Sequence, residues 1–182
     1  MTDSLVRPDN GRPWTIDDLP DDGFRYEIVD GSLLVPPPPA TPHFYVTSRL
    51  HHLLAAQTPA TLVVGENAGI ALTADRRTYR IPDIIVVHVS AIGHDVFVPT
   101  DVALAVEVMS PDSGGDDQVL KRYHYGKAGV PHYWIVDQKR RTLTVLRHDG
   151  DEGYDEVAVV RPGATWQTDE PFPVRLDPAD FL

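Results

Sequence analysis

The sequence predicts an α/β domain, a sheet with helices packed on its faces. Three observations carry that expectation. Strand-like and helix-like segments interleave along the chain, which favours one layered sheet over separate all-helical or all-strand parts. The segment Ala103–Met109 is apolar at odd and even positions alike, apart from Glu107, which marks a central strand covered on both sides. His43–Gln57 and Asp116–Ala128 are too long for ordinary strands and read as helices.

Residues 1–13 read as a flexible tail and 14–182 as a single domain. Thr15-Ile-Asp-Asp18 resembles a helix N-cap with acids in its first turn, so a short helix is expected before Pro20. Phe24–Val29 and Ser32–Val35 flank Asp30-Gly31, a strong hairpin signal. Pro36–Pro39 is a stiff, extended connector. In His43–Gln57, Phe44, Leu50, Leu53 and Leu54 recur at helical spacing. Strands are expected at Thr61–Gly65, Ala68–Leu72, Ile84–Val87 and Ala103–Met109. Pro82 sits just before the third, where its missing donor does least harm. Ser110-Pro111 ends the fourth, and Gly129 closes the helix that follows. His132–Val136, Thr142–Leu146 and Tyr154–Val160 complete the strands.

Composition narrows the function. A chain of 182 residues with 42% apolar content is globular and can bury a real core. It has no apolar run long enough for a membrane span. Its first ten residues lack a basic stretch followed by an apolar core, so no signal peptide is expected. Zero cysteines exclude disulfides and thiolate zinc sites, and a cytoplasmic location fits. A net charge of −11 argues against a tight, general nucleic-acid binder, because such binding runs on phosphate neutralisation by Lys and Arg. The basic clusters Arg76-Arg77-Thr-Tyr-Arg80 and Lys139-Arg140-Arg141 read as solvated hairpin tips.

The chemistry starts from Glu107. A carboxylate inside a buried strand needs a partner. Strand alternation puts Ala103, Ala105, Glu107 and Met109 on one side, and the alanines leave room there for something that is not protein. Asp83 opens the strand Asp-Ile-Ile-Val-Val. If that strand neighbours Ala103–Met109, two hard carboxylate donors converge, a set that suits Mg²⁺. Asp117, Lys121 and Tyr125 follow at i, i+4 and i+8 on one helix stripe. A lysine there would hold an attacking water or offset negative charge. Each residue also has a plainer reading: Asp83 as a backbone cap, Lys121 as a solvated lysine paired with Asp117, and Glu107 as a buried acid in an ion pair.

Taken in order, Arg25-Tyr-Glu-Ile-Val-Asp-Gly31, Pro42-His43, Pro82-Asp83-Ile84, Glu107-Val-Met-Ser-Pro111, Asp117-Gln-Val-Leu-Lys121-Arg-Tyr-His-Tyr125 and Ala128-Gly-Val-Pro-His-Tyr-Trp-Ile-Val-Asp137 resemble the Uma2 family of restriction endonuclease-like proteins. That family is similar to the PD-(D/E)xK nucleases, which hydrolyse phosphodiesters with Mg²⁺ or Mn²⁺. The resemblance implies a restriction endonuclease-like mixed central sheet flanked by helices. It assigns the motif aspartate to Asp83 and the second acid to Glu107, both as metal ligands. The usual lysine, two residues after that acid, is here Met109, and the family's helix lysine matches Lys121. Glu27 matches a family glutamate expected to reach the same cleft, and His43 a family histidine at a helix start. Many relatives have arginine where this chain has Gln118.

Two functions follow as expectations. One is a Mg²⁺- or Mn²⁺-dependent endonuclease acting on nucleic acid, DNA foremost, with Asp83, Glu107, Lys121 and Glu27 catalytic and His43, Asp117 and Tyr125 around them. It would act as a homodimer if it cuts both strands. The other is a nuclease-fold interaction module without activity, in which Lys121 pairs with an acid and no metal binds. A serine or cysteine hydrolase finds no motif. Adjacent His51-His52 face different sides of a helix and make a poor zinc chelate.

Overall fold

The computed structural model describes residues 5–6, 11–109 and 115–182, with side chains for 11–109 and 119–182. In chain order the strands and helices are β1 (Leu5–Val6), β2 (Glu27–Val29), β3 (Ser32–Leu34), α1 (Thr41–Ala55), β4 (Leu62–Glu66), β5 (Ile70–Ala71), β6 (Tyr79–Arg80), β7 (Ile84–His88), β8 (Val102–Met109), α2 (Gly115–Lys127), β9 (His132–Asp137), β10 (Thr142–His148), β11 (Tyr154–Val160), β12 (Trp166–Thr168) and β13 (Val174–Leu176).

Six strands form the central sheet in the order β11-β10-β9-β8-β7-β4. It is mixed: β8 and β9 run parallel, and the other neighbours are antiparallel. A parallel pair needs a crossover connection, and α2 lies in it. The expected α/β sheet is therefore present, with β8 near its middle. Val102–Val108 are all buried, because each face of β8 has a core of its own. On one face, Val46, Leu50 and Leu54 of α1 meet Ile84, Val86, Leu104, Val106 and Trp134. On the other, Tyr125 and Val130 join Ile85, Ala105, Tyr133, Leu146 and Tyr154.

The smaller sheet, β1-β3-β2-β6-β5, holds the expected hairpin. Asp30 (φ 47°) and Gly31 (φ 78°) both take positive φ, as a tight two-residue turn demands. Gly31 is needed twice over, since a Cβ there would run into Pro13. Leu5 and Val6 pair with Leu34 and Leu33, so part of the segment read as a tail adds a strand.

Two expectations need correction. Register shifts between Val86 and Val87, whose partners are Leu104 and Val102. This irregularity breaks the alternation, and Ala103 packs with the α1-side core while Ala105 stays on the Glu107 side. The room beside Ala105 is taken by protein, since its cluster includes the rings of Tyr125 and Tyr133, which lie 5.1 Å apart. The second correction is Arg80. It is no solvated hairpin tip but a fully buried residue of β6. Among the described residues no helix is long and apolar enough to cross a membrane.

Candidate active site

The site forms where β7 begins and β8 ends. Ile84 pairs with Val106, and one further step of that antiparallel register sets Asp83 beside Glu107. The sheet thus brings the two acids together on adjacent strands. Glu107 is nearly buried, as expected of its apolar strand. Two residues of α2, one turn apart, reach it. Lys121 Nζ donates to Glu107 Oε2 at 2.9 Å, and Tyr125 OH donates to Oε1 at 3.0 Å. Their i, i+4 spacing is what lets both side chains serve one carboxylate. Lys121 is therefore packed against the site and only 15% exposed.

Asp83 is held from two sides. Val108 N donates to its Oδ2 at 2.8 Å, and His43 Nε2 lies 3.1 Å from the same oxygen. Both contacts fall on Oδ2, and among the described residues none falls on Oδ1. His43 stands in the first turn of α1, one turn from Thr47, whose hydroxyl lies 3.4 Å from His43 Nδ1.

Glu27 comes from β2 in the smaller sheet. Arg80 NH1 donates to its Oε2 at 2.8 Å and Ile81 N to its Oε1 at 3.1 Å. Both oxygens are engaged. Its carboxyl binds the strand leading into Pro82-Asp83 and lies within the field of Lys121 and Glu107, the neighbourhood in which the sequence had suggested an acid reaching into the cleft. The described side chains of α2 begin at residue 119, so the expectations for Asp117 and Gln118 lie outside them.

Electrostatics separate the three acids. Burial opposes ionisation of Glu27, but Lys121, Arg80 and the two hydrogen bonds hold its carboxyl below the usual range. Burial likewise opposes ionisation of Asp83, which is nonetheless held low by His43, Lys121 and the Val108 amide. The imidazole of His43 is raised by Asp83, with Glu107 adding to it, against its own burial. Glu107 moves the other way. Burial is the largest cause, Asp83 and Glu27 add repulsion, Lys121 only partly offsets them, and its pKa is pushed up to about 8. Two carboxylates sharing a site cannot both ionise freely, and Glu107 is the one shifted towards its protonated form.

These features meet a match at the level of whole sequences. Residues 15–179 fit the Uma2 family profile, described as "Putative restriction endonuclease". The chain belongs to the Uma2 family. Its fold also matches a crystal structure described as that of "a putative nuclease belonging to DUF820 from Anabaena variabilis ATCC 29413", with a TM-score of 0.71 over 93% of this chain and 97% of that one. Sequence identity is 20%, so the likeness is one of fold. No curated protein matches the chain. Within this Uma2 chain, Met109 follows Glu107 by two residues, and the cation on Glu107 comes from α2 instead.

Sequence reasoning missed Arg80 and His124. Arg80 Nε lies 3.3 Å from His124 Nδ1, and both side chains are buried, which ties α2 to the smaller sheet. The signal was present in Tyr26-Glu-Ile-Val29. Glu27 sits in an apolar strand as Glu107 does, and the same demand for a partner would have pointed to a buried cation.

The donors fit a divalent metal ion. Carboxylates on adjacent strands are hard ligands, and burial, Asp83 and Glu27 raise the pKa of Glu107 beyond what Lys121 offsets. Among the described residues no group of three or more His, Asp or Glu side chains is arranged to hold a metal. Mg²⁺ does not require one, since it is bound through one or two carboxylates and keeps waters and phosphate oxygens for its other positions.

Proposed function

We propose that this Uma2 protein is a divalent-metal-dependent nuclease that hydrolyses phosphodiester bonds of nucleic acid, with Asp83 and Glu107 as its metal ligands. Family and fold point to nuclease chemistry, and restriction endonuclease-like proteins work with divalent metal ions. The observation that carries the assignment is Glu107: a buried carboxyl, raised to about 8, next to a second acid. Such a group is poised to exchange a proton for a metal cation. A bound Mg²⁺ or Mn²⁺ would polarise the phosphoryl oxygen and acidify a water. Lys121 then has two tasks in succession. It holds Glu107 in place in the resting site, and it offers its ammonium to the negative charge that develops on the phosphate. His43 orients Asp83 through Oδ2 and keeps it ionised. Tyr125 fixes the Glu107 rotamer, and Glu27 with Arg80 fixes the backbone before Pro82-Asp83.

The test is cleavage of plasmid and single-stranded DNA with Mn²⁺ or Mg²⁺. Wild-type protein should cut, and Glu107→Ala should lose at least about 100-fold, the scale of removing one electrostatic element of a site. Undiminished cutting by Glu107→Ala would remove Glu107 from the working site.

One observation favours a second reading. Glu107 and Asp83 already have protein partners, Lys121 and His43, and that closed set of ion pairs is what a module that has lost metal binding would keep. Melting curves separate the two. A ligand that binds the native state raises stability, so millimolar Mn²⁺ lifts the melting temperature of a nuclease and leaves that of the module unchanged.

A further inference from the structure

Arg80 divides its guanidinium between two partners. NH1 donates to Glu27 Oε2 at 2.8 Å, and Nε donates to His124 Nδ1 at 3.3 Å. A guanidinium only donates, so Nδ1 of His124 has to accept and carries no proton. An imidazolium would set a second N–H and a second positive charge against a fully buried arginine. The form that satisfies the contact is the neutral ring with its proton on Nε2. That nitrogen lies 3.7 Å from Asp30 Oδ2, and the other oxygen of Asp30 accepts from the Thr78 hydroxyl at 3.2 Å. His124 thus joins α2 both to β6 and to the turn between β2 and β3. Its place on the helix gives that tie a consequence. Successive helix positions turn by about 100°, so His124 faces about 60° away from Lys121 and about 100° away from Tyr125. Those two donate to Glu107 on β8 while His124 meets β6. On the far side of α2, Arg122 NH2 donates to Tyr154 O at 2.8 Å and His148 Nε2 donates to Gly126 O at 2.9 Å. A helix gripped along one line can still roll about it, and a grip on the opposite side fixes the roll.

We infer that His124 is a positioning residue of the candidate site: as a neutral imidazole protonated on Nε2 it accepts the Arg80 N–H, and this contact sets the roll of α2 that delivers Lys121 and Tyr125 to Glu107. The inference rests on the nuclease reading only for what the site does, while the tautomer and the helix placement stand on the hydrogen bonds. It also gives a reason for sharing one arginine. Through Glu27, which takes the Ile81 amide at 3.1 Å, Arg80 braces the strand leading to Asp83. Through His124 it braces the helix that reaches Glu107. The two halves of the site are referred to the same buried cation. His124 also packs on Tyr123, with ring centres 5.8 Å apart, and a role in packing alone would need the ring and not the acceptor. The two roles therefore call for opposite substitutions.

The experiment measures amine acetylation of the metal-free protein by mass spectrometry, as the rate at Lys121 relative to the exposed Lys139. Lysine occurs only at 121, 127 and 139, so the sites are easily resolved. Lys121 is paired and only 15% exposed, and its rate reports whether α2 holds it on Glu107. His124→Asn keeps an acceptor oxygen where Nδ1 stands and loses the ring. His124→Phe keeps the ring and loses the acceptor. His124→Phe should raise the Lys121 rate about 10-fold, the scale of one lost hydrogen bond to a charged group, and His124→Asn should stay at the wild-type rate. The reverse order, expected if ring packing alone matters, or equal rates in the two variants, overturns the inference. If the Phe variant melts below the labelling temperature, the Asn variant decides, because packing alone predicts faster labelling there. A nitrogen spectrum of histidine-labelled wild type at neutral pH should show His124 bare at Nδ1 and protonated at Nε2, and a proton on Nδ1 overturns the inference as well. Mn²⁺ titration keeps the two readings apart. Where wild type binds the ion, His124→Phe should weaken it about 10-fold, and an unchanged affinity overturns the positioning role. A wild type that binds no Mn²⁺ sinks the nuclease reading, and the labelling order still decides for or against His124.

Discussion

Glu27 and Glu107 are the same residue type, both buried and both within the field of Lys121. Yet one carboxyl is held below its usual range and the other is pushed to about 8. The difference lies in their partners. Glu27 has a guanidinium and a backbone amide, one on each oxygen. Glu107 has one ammonium, a neutral phenol and two acidic neighbours. Burial alone therefore does not tell a structural acid from a functional one. The kind of partner decides the direction of the shift: Glu27 has a guanidinium and an amide, whereas at Glu107 burial and the acids around it outweigh its one ammonium, and under the proposed function a metal cation would supply the balance.

Breaking the Glu27 side of this comparison should produce the largest effect. Glu27→Gln takes away the carboxylate to which the buried Arg80 donates at 2.8 Å. Removing one partner of a buried pair costs about 3–5 kcal/mol, measured by urea unfolding at neutral pH. The double variant Glu27→Leu with Arg80→Met should recover much of that, because a well-packed apolar pair replaces both charges. A single variant as stable as wild type would show that the pair anchors nothing.

Glu107→Gln should do the opposite to stability while abolishing activity. Because the folded pKa of Glu107 lies above its ordinary value, the folded chain holds the proton more tightly than the unfolded one. Its contribution is complete below pH 4.5 and disappears as pH rises to about 8. Without metal, wild type should lose on the order of a few kcal/mol across that window relative to Glu107→Gln. Glu27, held low, has the reverse sign: its contribution is present above its ordinary value and is lost as pH falls through its folded one. Parallel pH profiles for Glu107→Gln and wild type would refute the raised carboxyl.

Metal should close the gap between the two acids. Mn²⁺ competes with the Glu107 proton, so its stabilisation grows with pH. At 100 times the dissociation constant it amounts to about 2.7 kcal/mol, seen as a higher melting temperature at pH 8 than the same metal gives at pH 6. Glu107→Gln should abolish the shift. A Mn²⁺ shift of the same size in Glu107→Gln would place the metal elsewhere.

What was legible in the sequence follows from the range of the interactions. The Asp30-Gly31 turn, the helices and the both-sides-buried strand at Ala103–Met109 were readable because local backbone preference and periodicity decide them. Glu107 and Lys121 were readable as a pair worth testing, since a charge in an apolar strand announces itself and the next helix is nearby. The bulge that moves Ala103 to the other face was not, because register shifts are set by pairing across strands. Nor was Arg80, which sits 53 residues from Glu27 in a stretch rich in arginine. Its burial depends on a strand, β6, only two residues long, too short for any periodic signal.

The smallest expected effect sharpens the comparison most, because it changes the compensation of Glu107 without touching a charge. Tyr125→Phe removes only the hydroxyl that donates to Oε1 at 3.0 Å, and the ring stays buried among Tyr133 and its neighbours. Lost hydrogen-bond energy sets the stability change at about 1 kcal/mol. If Lys121 alone fixes Glu107, Mn²⁺ affinity is unaffected. If the phenol orients the carboxylate as an outer partner orients a metal ligand, affinity falls by about 10-fold, read from the Mn²⁺ dependence of the melting temperature. The same substitution removes a donor that favours the ionised form, so the pH midpoint of Glu107 should move further up, away from Glu27. A midpoint that stays put, with unchanged affinity, would make Tyr125 a core residue whose hydroxyl happens to lie near an acid.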